Sequence, residues 1–470
     1  MAAALEVAER SQRESRSVTC RLFEAGPAFG GKIVTHRVQG CVIEAGPDSF
    51  ISQKPAALDL CRRLGLGDQL INTNQEHRKA FVYSRGALRE LPEGMVVITP
   101  GNIGPFLKSG LLSWTGLARM GLEYILPPRR SSADESLAGF FRRRFGAEAT
   151  ARFIEPLMAG IHAGDAEQMS VAATFPRFRE LEQAQGSVIR GLVAAGKKAA
   201  ARQSSGPRPS LFVTLKNGLA DLVDAVVTKL GAAGVELRAG CGVDSVRVRS
   251  KEVGRWVYDL HLSDGTVCTA DAVVIATPAF AAAELIRPLS PSAAGILDHI
   301  PYASTATISM LYPAAQVRAQ IEGFGFVVPR IEQRSLLAAT WTSLKWSHRA
   351  PEDKVLVRCY VGGIGREAML AQPDQALVAQ SQEELAQLAG VRGAPEYVEV
   401  NRWERAMPQY LVGHLDRVAA VDTALSRFPG VLLTGAAYRG VGIPDCIRDG
   451  QEAAARAFDV LSCPNASPHA

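Results

Sequence analysis

The chain has 470 residues, 47% hydrophobic and 21% charged, and its 52 Lys and Arg against 47 Asp and Glu leave a net charge of +5. This composition excludes a largely disordered chain, since the apolar content can fill a sizeable core, and the length allows about two or three domains. No apolar run reaches the roughly 18 residues of a spanning helix; the nearest stretch, residues 109–128, is interrupted by Arg119 and Glu123.

In chain order, residues 1–13 read as a helix with no cap, strand or leader before it, and no secretory signal is read at Met1. Ser17-Val-Thr-Cys-Arg-Leu-Phe-Glu24 reads as a buried strand ending in an acid, followed by the Gly-rich turn Ala25-Gly-Pro-Ala-Phe-Gly-Gly31. Short β segments follow, including Cys41-Val-Ile-Glu44, and then helical spacing over 55–65 and 104–126. Residues 135–206 are mostly helical, with loops near 160–165 and Pro176.

The clearest helix carries Leu219, Leu222, Val223, Val226, Val227 and Leu230 on one face. Strands are expected at 234–238, 245–249, 256–262 and 266–269, and a doubly covered one at Ala272-Val-Val-Ile-Ala276. Further strand candidates are 305–312, 323–328, 335–342, 354–361 and 431–434, before a terminal helix from about Asp445 to Leu461. The α/β pieces are split among the start, the 210–295 region and the end, which implies a discontinuous domain. No internal repeat is visible.

The eight cysteines, at 20, 41, 61, 241, 268, 359, 446 and 463, form no C-x-x-C pair. They read as thiols of a reducing cytoplasm, with no disulfide frame and no metal site expected. Asn465-Ala-Ser467 matches a glycosylation sequon, read as chance without a secretory signal. Residues 101–210 hold 15 Lys and Arg against 9 Asp and Glu, a local net of +6. That excess fits a solvated helix face, an anionic substrate or an acidic membrane surface. Nucleic acid is not expected, because few aromatics interleave with the charges.

A dinucleotide-binding β-α-β unit needs a strand, G-x-G-x-x-G, a helix, a second strand and a terminal acid for the ribose hydroxyls. Helix 1–13, strand 17–23 and Glu24 match the second half, while the first strand and its glycines are absent. A unit short by roughly 15–25 residues at its start is therefore expected. Glu24-Ala-Gly-Pro-Ala-Phe-Gly-Gly-Lys-Ile33 resembles the E-x(5)-G-G-K/R signature of the flavin amine oxidase and protoporphyrinogen oxidase superfamily. The resemblance implies FAD, with Glu24, Gly30, Gly31 and Lys32 along it. Leu432-Leu-Thr-Gly435-Ala-Ala-Tyr-Arg-Gly440-Val-Gly442-Ile-Pro-Asp445 looks like the closing flavin segment of the porphyrinogen oxidases. It implies that Gly435, Gly442, Ile443 and Pro444 lie by the flavin; Asp445 and Cys446 read equally well as capping and core residues. Val243 resembles the residue whose backbone binds adenine, and Ala276-Thr277-Pro278 the turn after a flavin-domain strand.

Further blocks narrow the resemblance to the protoporphyrinogen and coproporphyrinogen oxidases. Glu44-Ala-Gly-Pro-Asp-Ser-Phe50 is similar to their E-x-G-P-D-S-F segment, which adds Gly46, Pro47 and Asp48 to the cofactor residues. Gly160-Ile-His-Ala-Gly-Asp165 with Met169-Ser170, the block from Gly186 to Gly191, and Arg402-Trp through Tyr410 with Gly413-His414 resemble others in the family's order. Pro92-Glu-Gly94, Ala339-Thr-Trp-Thr342, Lys345-Trp346 and Met407-Pro-Gln-Tyr410 look more like the Gram-positive coproporphyrinogen III oxidases.

The resemblance implies contact of the Gly164 carbonyl with pyrrole N–H groups, stacking by Tyr360, and apolar walls at Leu337 and Leu356. A turn glycine and a core aromatic are the plain alternatives for the first two. Where plant and animal enzymes carry an Arg, Ala80 stands here, so Arg78, Lys79 and Arg177 are the remaining propionate candidates. No acid–base catalytic residue is expected, since flavin N5 accepts the hydride.

The expectation is an α/β protein: a discontinuous Rossmann-like FAD-binding domain (1–50, 208–295, 425–470), a mixed-sheet substrate domain (51–95, 296–424) and a helical insertion (96–207). The expected activity is oxygen-using oxidation of coproporphyrinogen III in haem biosynthesis, with protoporphyrinogen IX as the alternative substrate. A related amine oxidase or carotene desaturase, and a remnant unable to hold FAD, are the rivals. The expected location is cytoplasmic, with peripheral contact to the membrane face and a homodimer both left open.

Overall fold

The computed structural model describes residues 1–76, 78–91, 95–96, 99–100, 109–201, 210–252, 255–317 and 321–462. The family-like Pro92-Glu-Gly94, Cys463 and the sequon at Asn465 lie outside the described residues.

Two parallel strand pairs form one side of the molecule. Arg21–Glu24 pairs with Glu236–Ala239, and Val273–Ile275 pairs with Val431–Leu433. The β-branched run at 273–275 suits a strand covered on both faces. Each pair is two-stranded, so each has free edges; residues of both Arg21–Glu24 and Val273–Ile275 line one cavity. Among the described residues no strand bridges the two pairs. An antiparallel meander, Val243–Glu252, Arg255–Leu262 and Val267–Ala270, lies beside them.

Helix Ala2–Arg13 is amphipathic and buries Ala4, Leu5 and Ala8. These join Leu58 of helix Pro55–Arg63, Leu222, Val226 and Leu230 of helix Ala220–Ala232, and Ile447 of helix Ile443–Ser462 in one apolar cluster. Burial of these stripes is what holds the helices in place, since propensity alone is a weak constraint.

The second half is a mixed seven-stranded sheet. Its order is Tyr397–Pro408, Tyr302–Pro313, Lys354–Gly362, Leu336–Trp341, Gly325–Val327, Phe81–Ser84 and Ala87–Glu90. All its pairings are antiparallel except Gly325–Val327 with Phe81–Ser84. Helix Asp374–Ala389 packs Leu377, Leu385 and Leu388 into the core on this sheet.

A separate apolar cluster, built on Phe140, Phe141, Phe153, Met158 and Val188, fills the helical region from about 111 to 189. Its centre also holds charge. Glu123 and Arg144 are both fully buried, and Arg144 Nε donates to Glu123 at 2.9 Å. The same carboxylate accepts from the Ser187 hydroxyl (2.6 Å) and the Val188 amide (2.7 Å), closing the start of helix Val188–Ala201. Other cations of this region pair with its own acids. Arg129 and Arg143 meet Glu135, Arg143 also meets Glu182, and Arg142 meets Glu167. Among the described residues, no helix is long and apolar enough to cross a membrane.

Candidate functional site

A cavity of about 2650 Å³ runs from the two parallel pairs to the seven-stranded sheet. At one end stand Glu24, Gly30, Gly31, Lys32 and Val243. Glu24 ends its strand, and its Oε1 accepts the Gly26 amide at 2.8 Å, which shapes the glycine turn. Gly30 has φ +116°, a backbone conformation that favours glycine, and a Cβ there would sit tightly against the Val223 side chain at 3.1 Å. Thr277 follows strand Val273–Ile275 and lines the cavity; its Oγ1 is buried without a hydrogen-bond partner. An orphaned hydroxyl in a cavity wall is a group that a polar ligand would satisfy.

The loop 434–442 and the start of helix Ile443–Ser462 form a second wall, with Gly435, Gly442 and Ile443 lining it. The helix therefore points its positive end at the cavity. Cys446 lines the same wall, and burial, reinforced by Asp445 and Asp449, pushes its thiol up to about 11. It is a neutral wall residue at ordinary pH. Asp445 turns away to Lys54, 2.6 Å from Nζ. Pro444 is inside the first turn of the helix and does not line the cavity.

Gly46, Pro47 and Asp48 make the middle of the wall. A Cβ on Gly46 would overlap the Lys32 carbonyl oxygen, so the two segments touch through main chain. The Ala45 carbonyl accepts from Thr307 Oγ1 (3.0 Å), Arg358 Nη2 (3.0 Å) and Trp403 Nε1 (2.9 Å). Three neighbouring strands of the large sheet thus hold the Gly46–Asp48 segment in place. Asp48 accepts from Lys345 Nζ (2.9 Å), Ser49 Oγ (2.7 Å) and Trp346 Nε1 (3.3 Å). Burial alone would raise its carboxyl, but the Lys345 and Arg358 charges outweigh it and hold the group well below the usual carboxylate range.

At the far end Tyr360 and Leu337 line the cavity, with the Arg358 guanidinium 5.0 Å from the Tyr360 ring centroid. Gly160, Ile161 and Ala163 line it too, and Gly164 sits just behind them. A Cβ on Gly164 would overlap Gln409 Oε1 and Met169 Sδ, so a larger residue there would displace both side-chain ends.

Besides Pro444 and Gly164, four further expected residues stand outside the lining. Leu356 shares the strand and face of Tyr360 but lies four residues, about 13 Å, further along, packed with Cys41, Ile43 and Leu311. Lys79 pairs with Glu322 (2.6 Å) and Glu90 (3.4 Å) by the far sheet edge. Arg78 is exposed and outside the lining. Arg177 is exposed because its helix, Pro176–Gln185, turns Phe178 and Glu182 inward instead. The cations of the lining near the sheet are Lys345 and Arg358, which sequence reasoning left out as site residues. Arg358 carried one signal: a charge inside the otherwise apolar run Val355-Leu-Val-Arg-Cys359. Trp403 was also missed, its strand Tyr397–Pro408 having not been expected.

The family model described as flavin containing amine oxidoreductase matches residues 1–457. The chain belongs to this family. As a flavin amine oxidoreductase it is an FAD-dependent oxidoreductase, and the glycine turn, the orphaned Thr277 hydroxyl and the helix start fit that cofactor. The chain is 36% identical over 462 residues to a coproporphyrinogen III oxidase of Bacillus subtilis, covering 98% of this chain and 96% of the relative. It is 29% identical to a chloroplastic protoporphyrinogen oxidase of Oryza sativa, covering 93% and 83%. A solved structure from Exiguobacterium sp. 255-15 superposes with TM-score 0.82 at 31% identity, covering 98% of this chain and 96% of that one.

Proposed function

We propose that this flavoenzyme oxidises coproporphyrinogen III to coproporphyrin III in haem biosynthesis, passing electrons to molecular oxygen. The observation that carries the reading is the 36% identity to the Bacillus subtilis coproporphyrinogen III oxidase across 98% of the chain. The cavity supports it, being continuous from the cofactor residues to Tyr360 and Leu337. Bound FAD supplies the hydride acceptor, and three rounds remove six electrons and yield three peroxides.

The protein's own part is enclosure and orientation. Leu337, Val327 and Ala338 offer apolar walls, and Tyr360 a flat ring for the macrocycle. Lys345 and Arg358 bring two positive charges against the single charge of Asp48. This surplus suits the carboxylates of a substrate with four propionates, in place of Arg78, Lys79 and Arg177. No acid–base side chain is required.

The exposed Trp114 (80%) and Ile125 (75%) support peripheral contact with the cytoplasmic membrane face. Binding to anionic vesicles, lost in Trp114→Ser, tests that part. A concentration-dependent mass measurement tests the homodimer.

The FAD-loaded chain should turn over coproporphyrinogen III, followed by porphyrin fluorescence and peroxide. Faster turnover of protoporphyrinogen IX would reassign the substrate. Oxidation of benzylamine without porphyrinogen turnover would move the chain to the amine oxidases. A folded, colourless protein that takes up no FAD would make it a remnant.

A further inference from the structure

The loop 434–442 has many main-chain polar groups and little regular structure, so something must hold its shape. From one side Asp449, 2% exposed, accepts from Thr434 Oγ1 (2.7 Å) and the Gly435 amide (2.9 Å). From the other side comes Tyr410, also 2% exposed. Its hydroxyl donates to the Ala436 carbonyl (2.7 Å) and accepts from the Gly440 amide (2.9 Å). One oxygen therefore spans the loop.

The Tyr410 ring stacks on the His414 imidazole, with centroids 4.0 Å apart and planes 11° apart. The Nε2–H of His414 donates to the Tyr438 carbonyl at 3.1 Å. Two side chains four residues apart thus hold three main-chain groups of the loop. Neither Tyr410 nor His414 lines the cavity, while Gly435, Ala436, Ala437, Val441 and Gly442 do.

The segment that carries them grips the opposite wall as well. The Tyr410 carbonyl accepts the Ser170 amide (2.7 Å). Gln409 Nε2 donates to the carbonyl of His162 (2.9 Å), the last residue of helix Glu155–His162, which leads into the 160–165 wall. Residues 409–414 are thus hydrogen-bonded to both cavity walls.

We propose that Tyr410, backed by His414, is a positioning residue for the flavin: it sets the shape of the loop that faces the ring system and ties that loop to the 160–165 wall. The proposal rests on the reading that loop 434–442 packs against the flavin. Replacing the hydroxyl would leave the ring stacked on His414 and release the Ala436 and Gly440 groups together.

The test compares two holoenzyme variants. Tyr410→Phe removes this hydroxyl. Tyr258→Phe removes an equally buried one, which donates to the Pro429 carbonyl at 2.7 Å and lies outside the cavity lining. Tyr410→Phe should shift the flavin absorption bands and midpoint potential and lower kcat about tenfold or more, with KM nearly unchanged. Tyr258→Phe should lose similar thermal stability and keep the wild-type spectrum and potential. Equal loss of stability in both, with unaltered spectrum, potential and kcat in Tyr410→Phe, would overturn the proposal. Failure of every form to oxidise a porphyrinogen would sink the substrate reading alone, because spectrum and potential still judge Tyr410. A wild-type chain that takes up no flavin would overturn both.

Discussion

Asp48 and the two buried histidines are where single residues carry the most testable energy. Lys345 and Asp48 are 16% and 15% exposed at their side chains and meet at 2.9 Å. Removing one partner of a buried pair leaves a charge without its counterion. Lys345→Met should cost about 3 kcal/mol in denaturant unfolding, at the low end for such pairs because Arg358 remains near. The double variant Lys345→Met with Asp48→Asn should recover much of it. His162 and His414 are 4% and 1% exposed, and burial, with Lys54 near the first and Arg417 near the second, holds each at about 4. An unfolded histidine titrates near ~6.5, so between these values the unfolded chain binds more protons. Their contribution is therefore complete above pH ~6.5 and falls as pH drops toward 4, by on the order of 3 kcal/mol per histidine. Unfolding curves at pH 7.5, 6 and 5 should show the loss, and His414→Gln should flatten its share. Asp48, held low, adds its own loss only below its unfolded value near ~3.9.

Elements in this chain are joined by buried charge as much as by apolar stripes. Glu123 reaches helix Leu137–Phe145 through Arg144 and helix Val188–Ala201 through Ser187, Val188 and Ile189. Glu123→Ala should cost about 3 kcal/mol, at the low end for a buried pair because Glu182 stays 3.4 Å from Arg144. Hydrogen exchange should show the loosening in the 111–189 cluster, with the seven-stranded sheet unchanged. The same region shows the limit of charge reading: its net +6 is a sum, and Arg129, Arg142, Arg143 and Arg144 are paired with acids within it. Helix periodicity was legible at Ala220–Ala232, where apolar residues repeat on one face. Strand Tyr397–Pro408 was not: most of its residues are only half-buried, and charges interrupt its alternation. Its place in the sheet comes from nine partners on Tyr302–Pro313, a long-range pairing that no local window contains.

At the scale of the molecule the cavity joins parts that no single core cluster contains. Its walls include Glu24, Gly46, Val243, Thr277, Gly435 and Tyr360, spread from one end of the chain to the other. A ligand that binds only the assembled form stabilises it by mass action. Added FAD at about 100 times its Kd should contribute about 2.7 kcal/mol and raise the melting midpoint. A melt unmoved by FAD, with no yellow colour retained on gel filtration, would contradict the cofactor assignment for the chain as it stands.

Sequence alone determined the family and the order of its blocks, because those motifs are local. Glu24 with Gly30-Gly31 and the 435–444 segment each place an acid or glycines within a few residues of a turn, and short spacing survives in one dimension. Which cations face the cavity was decided only by tertiary structure. Arg78, Lys79 and Arg177 were the propionate candidates in the string and Lys345 and Arg358 were not, yet the first three are drawn to solvent or to Glu90 and Glu322. Leu356 matched Tyr360 in face and missed the cavity by distance along the strand. The three donors on the Ala45 carbonyl come from residues 307, 358 and 403. Such convergence depends on strand order and register, which chain-distant pairing sets and local propensity does not.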